Sequence, residues 1–379
     1  GYQAGDSITT GSNLTVIGYD ADASSATATN EITLGNASVT SLRIPGLQSG
    51  ASDGQVLTYN SSNGNITLAD ASGGGASAIN DLSDAVTNSS GATIGLGTGA
   101  LANDDGTTNN NTAVGNNALN ANTSGANNTA IGDEALAANT TAAGNTAVGA
   151  LSLDANTSGQ NNTGIGIHAL GGNTTASNNT AVGSLALLAN TTGTKNAAVG
   201  SFALDANTTG NSNTAVGYNV LGGNTTGSSN VAMGDGALTS NTTASNNTAV
   251  GTSALLVNTT GAQNVGVGAV SLSANTSGNR NIGIGYQSLD ANTTGDDNVA
   301  VGKGALGANT TADDNTAVGS SALALNTTGT QNVAVGSFAL DGNTIRSENT
   351  AVGYNALSAN TGPSCTAIGS NALRDSTGE

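Results

Sequence analysis

Residues 179–195 read Asn-Thr-Ala-Val-Gly-Ser-Leu-Ala-Leu-Leu-Ala-Asn-Thr-Thr-Gly-Thr-Lys, and residues 196–212 repeat them as Asn-Ala-Ala-Val-Gly-Ser-Phe-Ala-Leu-Asp-Ala-Asn-Thr-Thr-Gly-Asn-Ser. The period is 17, and the fifth place of the unit is a glycine that recurs in step from Gly115 to Gly353. One further, shorter step of 16 reaches Gly369. The ninth place is Leu in all sixteen copies, from Leu119 through Leu136 and Leu153 to Leu373. The twelfth is Asn from Asn122 through Asn139, Asn156 and Asn173 to Asn360, and Ser376 takes that place in the last copy. Weaker copies lie upstream: Leu101 is one residue out of step with Leu119, and Gly1, Gly18 and Gly35 are 17 apart.

A period of 17 is too short for helix-pair repeats, which need roughly 33–47 residues. No helical periodicity is present either. The second and fourth places covary as apolar partners, Val265 with Val267, Ile282 with Ile284 and Val299 with Val301. Alternation at i and i+2 is one face of a strand. On this reading places two, four and nine supply the core. The third place is only ever Ala or Gly, which marks close backbone approach across a thin coil or against another subunit. The Ala-Leu pair starts a second short strand. Asn-Thr-Thr-Gly supplies a turn through residues that tolerate positive φ.

The expected fold is therefore all-β: a parallel β-solenoid with one coil per repeat, copies stacked about 4.8 Å apart. Sixteen coils make a rod of roughly 75 Å at that spacing. The Asn columns at places one and twelve become amide ladders. Asn-rich repeats also suggest disorder, but disorder needs neither a fixed register nor an unbroken Leu column.

Composition agrees with a fibre more than with a conventional globule. Of 379 residues, 8% are charged, against roughly 25% in ordinary domains. Aromatics are 2%, with no Trp, so the usual large core side chains are missing. Two prolines exclude collagen. The net charge of −18 argues against nucleic acid or an anionic membrane as partner. No apolar run of about 20 residues predicts membrane insertion. The lone Cys365 permits no intrachain disulfide. A start at Gly1 inside a repeat reads as a processed product or fragment. Three aliphatic side chains per coil form a thin core against the entropy of ordering it, so burial between copies of the chain is expected.

Along the chain, residues 1–40 read as irregular coils. Residues 41–75 read as a spacer with strands at 55–59 and 65–68 around a turn, then a Gly-rich joint at 72–76. Residues 76–92 read as a neck, with a short helical turn within 79–86, and residues 93–379 as the rod.

No catalytic constellation is visible, and no enzyme is expected. His168 has no partner evident in the sequence. Gly164 and Gly166 are repeat residues, since no helix follows them as a phosphate loop requires. The Asn-x-Thr sequons coincide with the ladder columns and read as structural. A depolymerase would need paired carboxylates, and Asp154 and Asp205 share a column. Two features suit ligands. Tyr218, Tyr286 and Tyr354 at place six, with Phe202 and Phe338 at place seven, could stack on glycans or pack between coils or subunits. Asp296, Asp297, Asp313 and Asp314 should stack and repel, so they are candidates for Ca²⁺, the one cofactor suggested. Arg280, in the column of Asp297, offsets that charge; the alternative is a solvated acidic loop.

The Asn-Thr-Ala-Val-Gly-x-x-Ala unit resembles the repeat of YadA-type trimeric adhesin heads, whose coils are shorter than those of this chain. A wider resemblance is to tail-fibre proteins of marine phages, cyanophages included. It is carried by residues 1–4 (Gly-Tyr-Gln-Ala), 30–35 (Asn-Glu-Ile-Thr-Leu-Gly), 42–45 (Leu-Arg-Ile-Pro), 52–60 (Ser-Asp-Gly-Gln-Val-Leu-Thr-Tyr-Asn) and the repeat array. Both resemblances imply a homotrimer. The second implies the shaft of a virion tail fibre that contributes to attachment, with a host cell-surface glycan or protein as partner. Many such fibres end in a self-cleaving chaperone domain, which residues 1–379 do not contain. A bacterial surface adhesin or extracellular filament is the alternative. An ice-binding solenoid is a third reading, prompted by Thr at places two and thirteen.

Overall fold

The computed structural model describes residues 3–10, 12–13, 15–17, 21, 25, 27, 32–34, 55–60, 65–70, 85–87, 93–106, 109–359 and 362–374. The chain forms two units, Gly1–Ser77 and Ala78–Glu379. Among the described residues there is no helix, and so none long and apolar enough to cross a membrane.

In the first unit, β1 (Thr15–Ile17) and β2 (Ile32–Leu34) pair in parallel with Thr15 opposite Ile32. That offset is one coil of the same period as the rod. Strands β3 (Gln55–Asn60) and β4 (Asn65–Asp70) form the antiparallel hairpin expected from sequence, each slightly longer than expected. The joint at 72–76 lies outside the described residues.

The second unit is one long ladder. It opens with β5 (Ala85–Thr87), antiparallel to β6 (Ile94–Leu96). Residues 85–86 are therefore strand where a helical turn was expected, and 79–84 lie outside the described residues. The added strand occupies the backbone edge that the first coil would otherwise leave unpaired. From β7 (Thr112–Val114) to β22 (Thr366–Ile368), each three-residue strand pairs in parallel with the one before. Among the described residues no pair joins β5 to β22, so the ladder is open. Sixteen steps from β6 at about 4.8 Å each give roughly 75 Å of rod.

The strand faces the opposite way from the sequence expectation. In each strand from β6 to β22 the middle residue is buried and its two neighbours are partly or largely exposed. The core is therefore Ala113, Ala118 and Leu119 and their copies, at places three, eight and nine. The restriction at place three reflects a narrow interior. Places two and four, counted as core from sequence, form a partly exposed stripe in which place four is apolar in every strand and place two is mostly Thr, with Val231 37% and Met233 44% accessible.

The Ala-Leu pair is likewise not a second strand. It lies in overlapping turns. The Gly115 carbonyl accepts from Ala118 N–H (3.4 Å), Asn117 from Asn120 (3.2 Å) and Leu119 from Asn122 (3.1 Å). Positive φ at the third residue of the first two turns, 53° at Asn117 and 51° at Leu119, is the type II signature. A left-handed Leu costs about 1–2 kcal/mol. Complete burial of its side chain offsets that with about 1.5–3 kcal/mol.

At place five only glycine fits. Gly251 has φ +133°, and a Cβ there would lie 2.6 Å from the carbonyl carbon and oxygen of Gly268 in the next coil. The Asn-Thr-Thr-Gly corner, by contrast, uses no positive φ at its Asn or Gly. Cross-coil backbone bonds continue around the turns, as from Leu119 N–H to Ala135 O (3.0 Å) and Thr123 N–H to Thr140 O (2.9 Å). Most of each coil is thereby tied to its neighbours, which satisfies backbone polar groups without helices or further sheets.

Candidate functional site

The interior polar columns are structural. At place twelve, Asn139 Nδ2 donates to Asn122 Oδ1 (2.9 Å), Asn156 to Asn139 (3.1 Å) and Asn173 to Asn156 (2.9 Å). The same Nδ2 groups also donate to the place-fifteen carbonyl, as Asn139 does to Ala142 O (3.2 Å). Asp104 ends the ladder by accepting from Asn122 Nδ2 (3.4 Å). Leu119, Leu136 and Leu153 stack beside it, fully buried. These buried, engaged amides keep the place-twelve sequons inside the rod.

At place one the expected amide ladder forms in several coils, as from Asn315 Nδ2 to Asn298 Oδ1 (3.2 Å) and Asn332 Nδ2 to Asn315 Oδ1 (3.1 Å), and a second ladder through the backbone runs beside it. There the backbone N–H of Asn128 donates to Asn111 Oδ1 (2.9 Å), while Asn128 Nδ2 donates to Ala142 O (2.8 Å). Cys365 keeps the backbone half of this arrangement, donating its N–H to Asn349 Oδ1 (3.0 Å). A third ladder, at place sixteen, escaped sequence reasoning. Ser228 N–H donates to Ser245 Oγ (3.0 Å), and Asn279 N–H to Asp296 Oδ1 (2.6 Å). Its signal is the short side chain with an acceptor that recurs there, Ser177, Asn211, Ser245 and Ser347 among them.

That ladder absorbs part of the acidic cluster. Asp313 Oδ1 accepts from Asp296 N–H (2.7 Å). Arg280 grips Asp297 with two bonds, Nε to Oδ1 (2.6 Å) and Nη2 to Oδ2 (2.7 Å), and stands 3.9 Å from Asp296. The guanidinium's hydrogen bond holds the Asp297 carboxyl below the usual carboxylate value. Asp313 and Asp314 stack on Asp296 and Asp297 as their spacing requires, with Asp314 N–H donating to Asp296 O (3.2 Å). Among the described residues, no three His, Cys, Asp or Glu converge on one point.

The place-ten acids are partly sunk into the coil. Oδ1 of Asp154, Asp205 and Asp341 is buried with no hydrogen-bond partner. Burial raises the carboxyl pKa of Asp154, Asp205 and Asp290, and backbone N–H groups oppose the rise. His168, solitary in the sequence, is near enough to act on Asp154 electrostatically. Each of the three raised acids lies over a glycine of the next coil, Gly171, Gly222 and Gly307. That Asp-then-Gly spacing of 17 is legible in the sequence once known. Asp154 and Asp205 are three coils apart, about 14 Å by strand spacing. Paired glycosidase carboxylates stand about 5–9.5 Å apart. Gly164 and Gly166 lie within and just after a rod strand, Thr163–Ile165, and turns, not a helix, follow them.

The aromatics are on the perimeter. Tyr218, Tyr286 and Tyr354 are 58%, 50% and 51% exposed. Phe202 meets Tyr218 edge to face, centroids 6.0 Å apart at 80°, and Phe338 meets Tyr354 at 6.2 Å and 88°. The members of each pair come from successive coils, so the structure shows packing between coils and leaves ring surface open.

No protein-family model, curated protein or solved structure matches the chain.

Proposed function

We propose that the chain is the shaft of a homotrimeric fibre that contributes to attachment at a host-cell surface, as in a phage tail fibre. The observation that carries this reading is the outward stripe at places two and four. It runs the length of the ladder, from Thr112 and Val114 to Thr366 and Ile368, two residues wide and without one charge. Exposed uncharged surface of that extent, apolar throughout at place four and mostly Thr at place two, marks an interaction face. A repeating stripe is best matched by the identical stripe of another copy, coil against coil. A rod with little charge fits a structural and adhesive part. A virion is the proposed location.

Labelled chain added to a panel of marine bacteria, cyanobacteria included, tests the attachment role. Surface labelling that competes with phage adsorption supports it, and failure to label any strain overturns it. Thr112, Thr129, Thr146, Thr163 and Thr180 form an unbroken outward Thr column, on which the ice-binding reading rests. Thermal hysteresis would favour that reading.

A further inference from the structure

The perimeter carries a period longer than the coil. Tyr218, Tyr286 and Tyr354 recur at an interval of 68, or four coils of 17. One coil before each, at place seven, stand Phe202, Val270 and Phe338, also 68 apart. Four coils at about 4.8 Å set these platforms about 19 Å apart along one side of the rod.

The turn does not call for these side chains. Backbone at place seven is left-handed, with φ of 58° at Phe202, 52° at Val270 and 58° at Phe338. Asn117, Gly236 and Gly304 hold the same place with the residue types that conformation favours. An aromatic or β-branched residue is sterically disfavoured there. Leu at place nine accepts similar strain but gains complete burial, whereas Phe338 remains 39% exposed. Between platforms the same two places carry short polar residues such as Thr252, Ser253, Ser320 and Ser321. Asp235 and Lys303 are the charges in that interval.

We infer that the three platforms form one track for a linear, uncharged polysaccharide, each platform stacking on a sugar face. Aromatic faces give apolar contact, and the Tyr hydroxyls and small polar side chains suit a hydroxyl-rich ligand. A net charge of −18 disfavours polyanions. A polymer reaching all three platforms gains avidity of about 10²–10⁴ over a fragment that covers one. The inference deepens the attachment reading by naming a ligand class, and it does not require a trimer.

The test is affinity electrophoresis of the full chain in gels containing dextran, laminarin or mannan, with short oligosaccharides of each as competitors. The expected result is retardation by at least one polymer, bound about 100-fold more tightly than its oligosaccharide. Replacing all three tyrosines, by Tyr218→Ala, Tyr286→Ala and Tyr354→Ala, should abolish the retardation, and Tyr→Phe at the same places should keep it. Circular dichroism reports whether the variants fold; single Tyr→Ala changes, each expected to weaken polymer binding about tenfold, serve if the triple variant does not. Absence of retardation by all three polymers, equal affinity for polymer and oligosaccharide, or wild-type binding by the folded alanine variants overturns the inference. A trimeric mass without polymer binding removes the track and leaves the fibre. A monomeric mass with length-dependent binding does the reverse.

Discussion

At place nine every rod coil has Leu, while at place six the same coils carry Asn116, Asp133, Ala150, Ile167, Tyr218 or Lys303. The two places are close in sequence, yet one column is fixed and the other free. In a solenoid each inward side chain has its own copy about 4.8 Å above and below as neighbours. A change inside can therefore be met by the next coil. Ser152 replaces Ala at place eight and sends its Oγ to Gly164 O (3.0 Å), where the next coil has Gly in place of Ala. Ser271 and Gly283 repeat the exchange. Outward side chains meet solvent and face no such constraint, so the perimeter is where this chain can specialise.

The contrast can be broken most severely at place five. Gly251→Ala forces a Cβ to within 2.6 Å of the Gly268 carbonyl at φ +133°, and should cost about 4 kcal/mol or more in urea unfolding. A loss below about 1 kcal/mol would mean that coils slide freely past one another. Next comes Leu187→Ala, in the middle of the buried column, with an expected loss of about 2–5 kcal/mol. Ser184→Ala, just before it and on the perimeter, should stay within about 0.5 kcal/mol of the parent.

The exchange at place eight sharpens the comparison. Gly164→Ala puts a Cβ 2.6 Å from Ser152 Oγ and should destabilise alone. Adding Ser152→Ala should restore the common Ala–Ala pairing, with a coupling of about 0.5–3 kcal/mol in a double-mutant cycle. Additive effects would refute coil-to-coil compensation.

The smallest effect is in pH dependence. Burial lifts the carboxyls of Asp154, Asp205 and Asp290 above 3.8, so their charged forms oppose folding. Stability rises as pH falls through the lifted values and the gain is complete below 3.8. Asn at these three places should raise Tm at pH 7, and the advantage should vanish in acid. Asp297, depressed by Arg280, runs the other way: its contribution is present above 3.8 and fades as pH falls through the lowered value. Asp297→Asn should therefore lower Tm slightly at pH 7.

Much of this was legible in the sequence. The coil length, the short strand, the buried Leu column and the place-twelve ladder follow from period and residue type. The direction of the strand did not. Val265 and Val267 show that alternate residues share a face, but alternation leaves open which face is inside. A coil this narrow takes Ala inward and turns the larger pair out, which depends on its cross-section. The left-handed Leu was hidden because Leu is not a residue of that conformation. The spacing of Tyr218, Tyr286 and Tyr354 was hidden because aligning coils one by one averages away a four-coil period.

The outward stripe remains the central claim, and solution mass tests it most directly. Light scattering coupled to size exclusion on the intact chain should give a mass near three times 36.0 kDa. A mass of 36.0 kDa, with the stripe left to solvent, would contradict it.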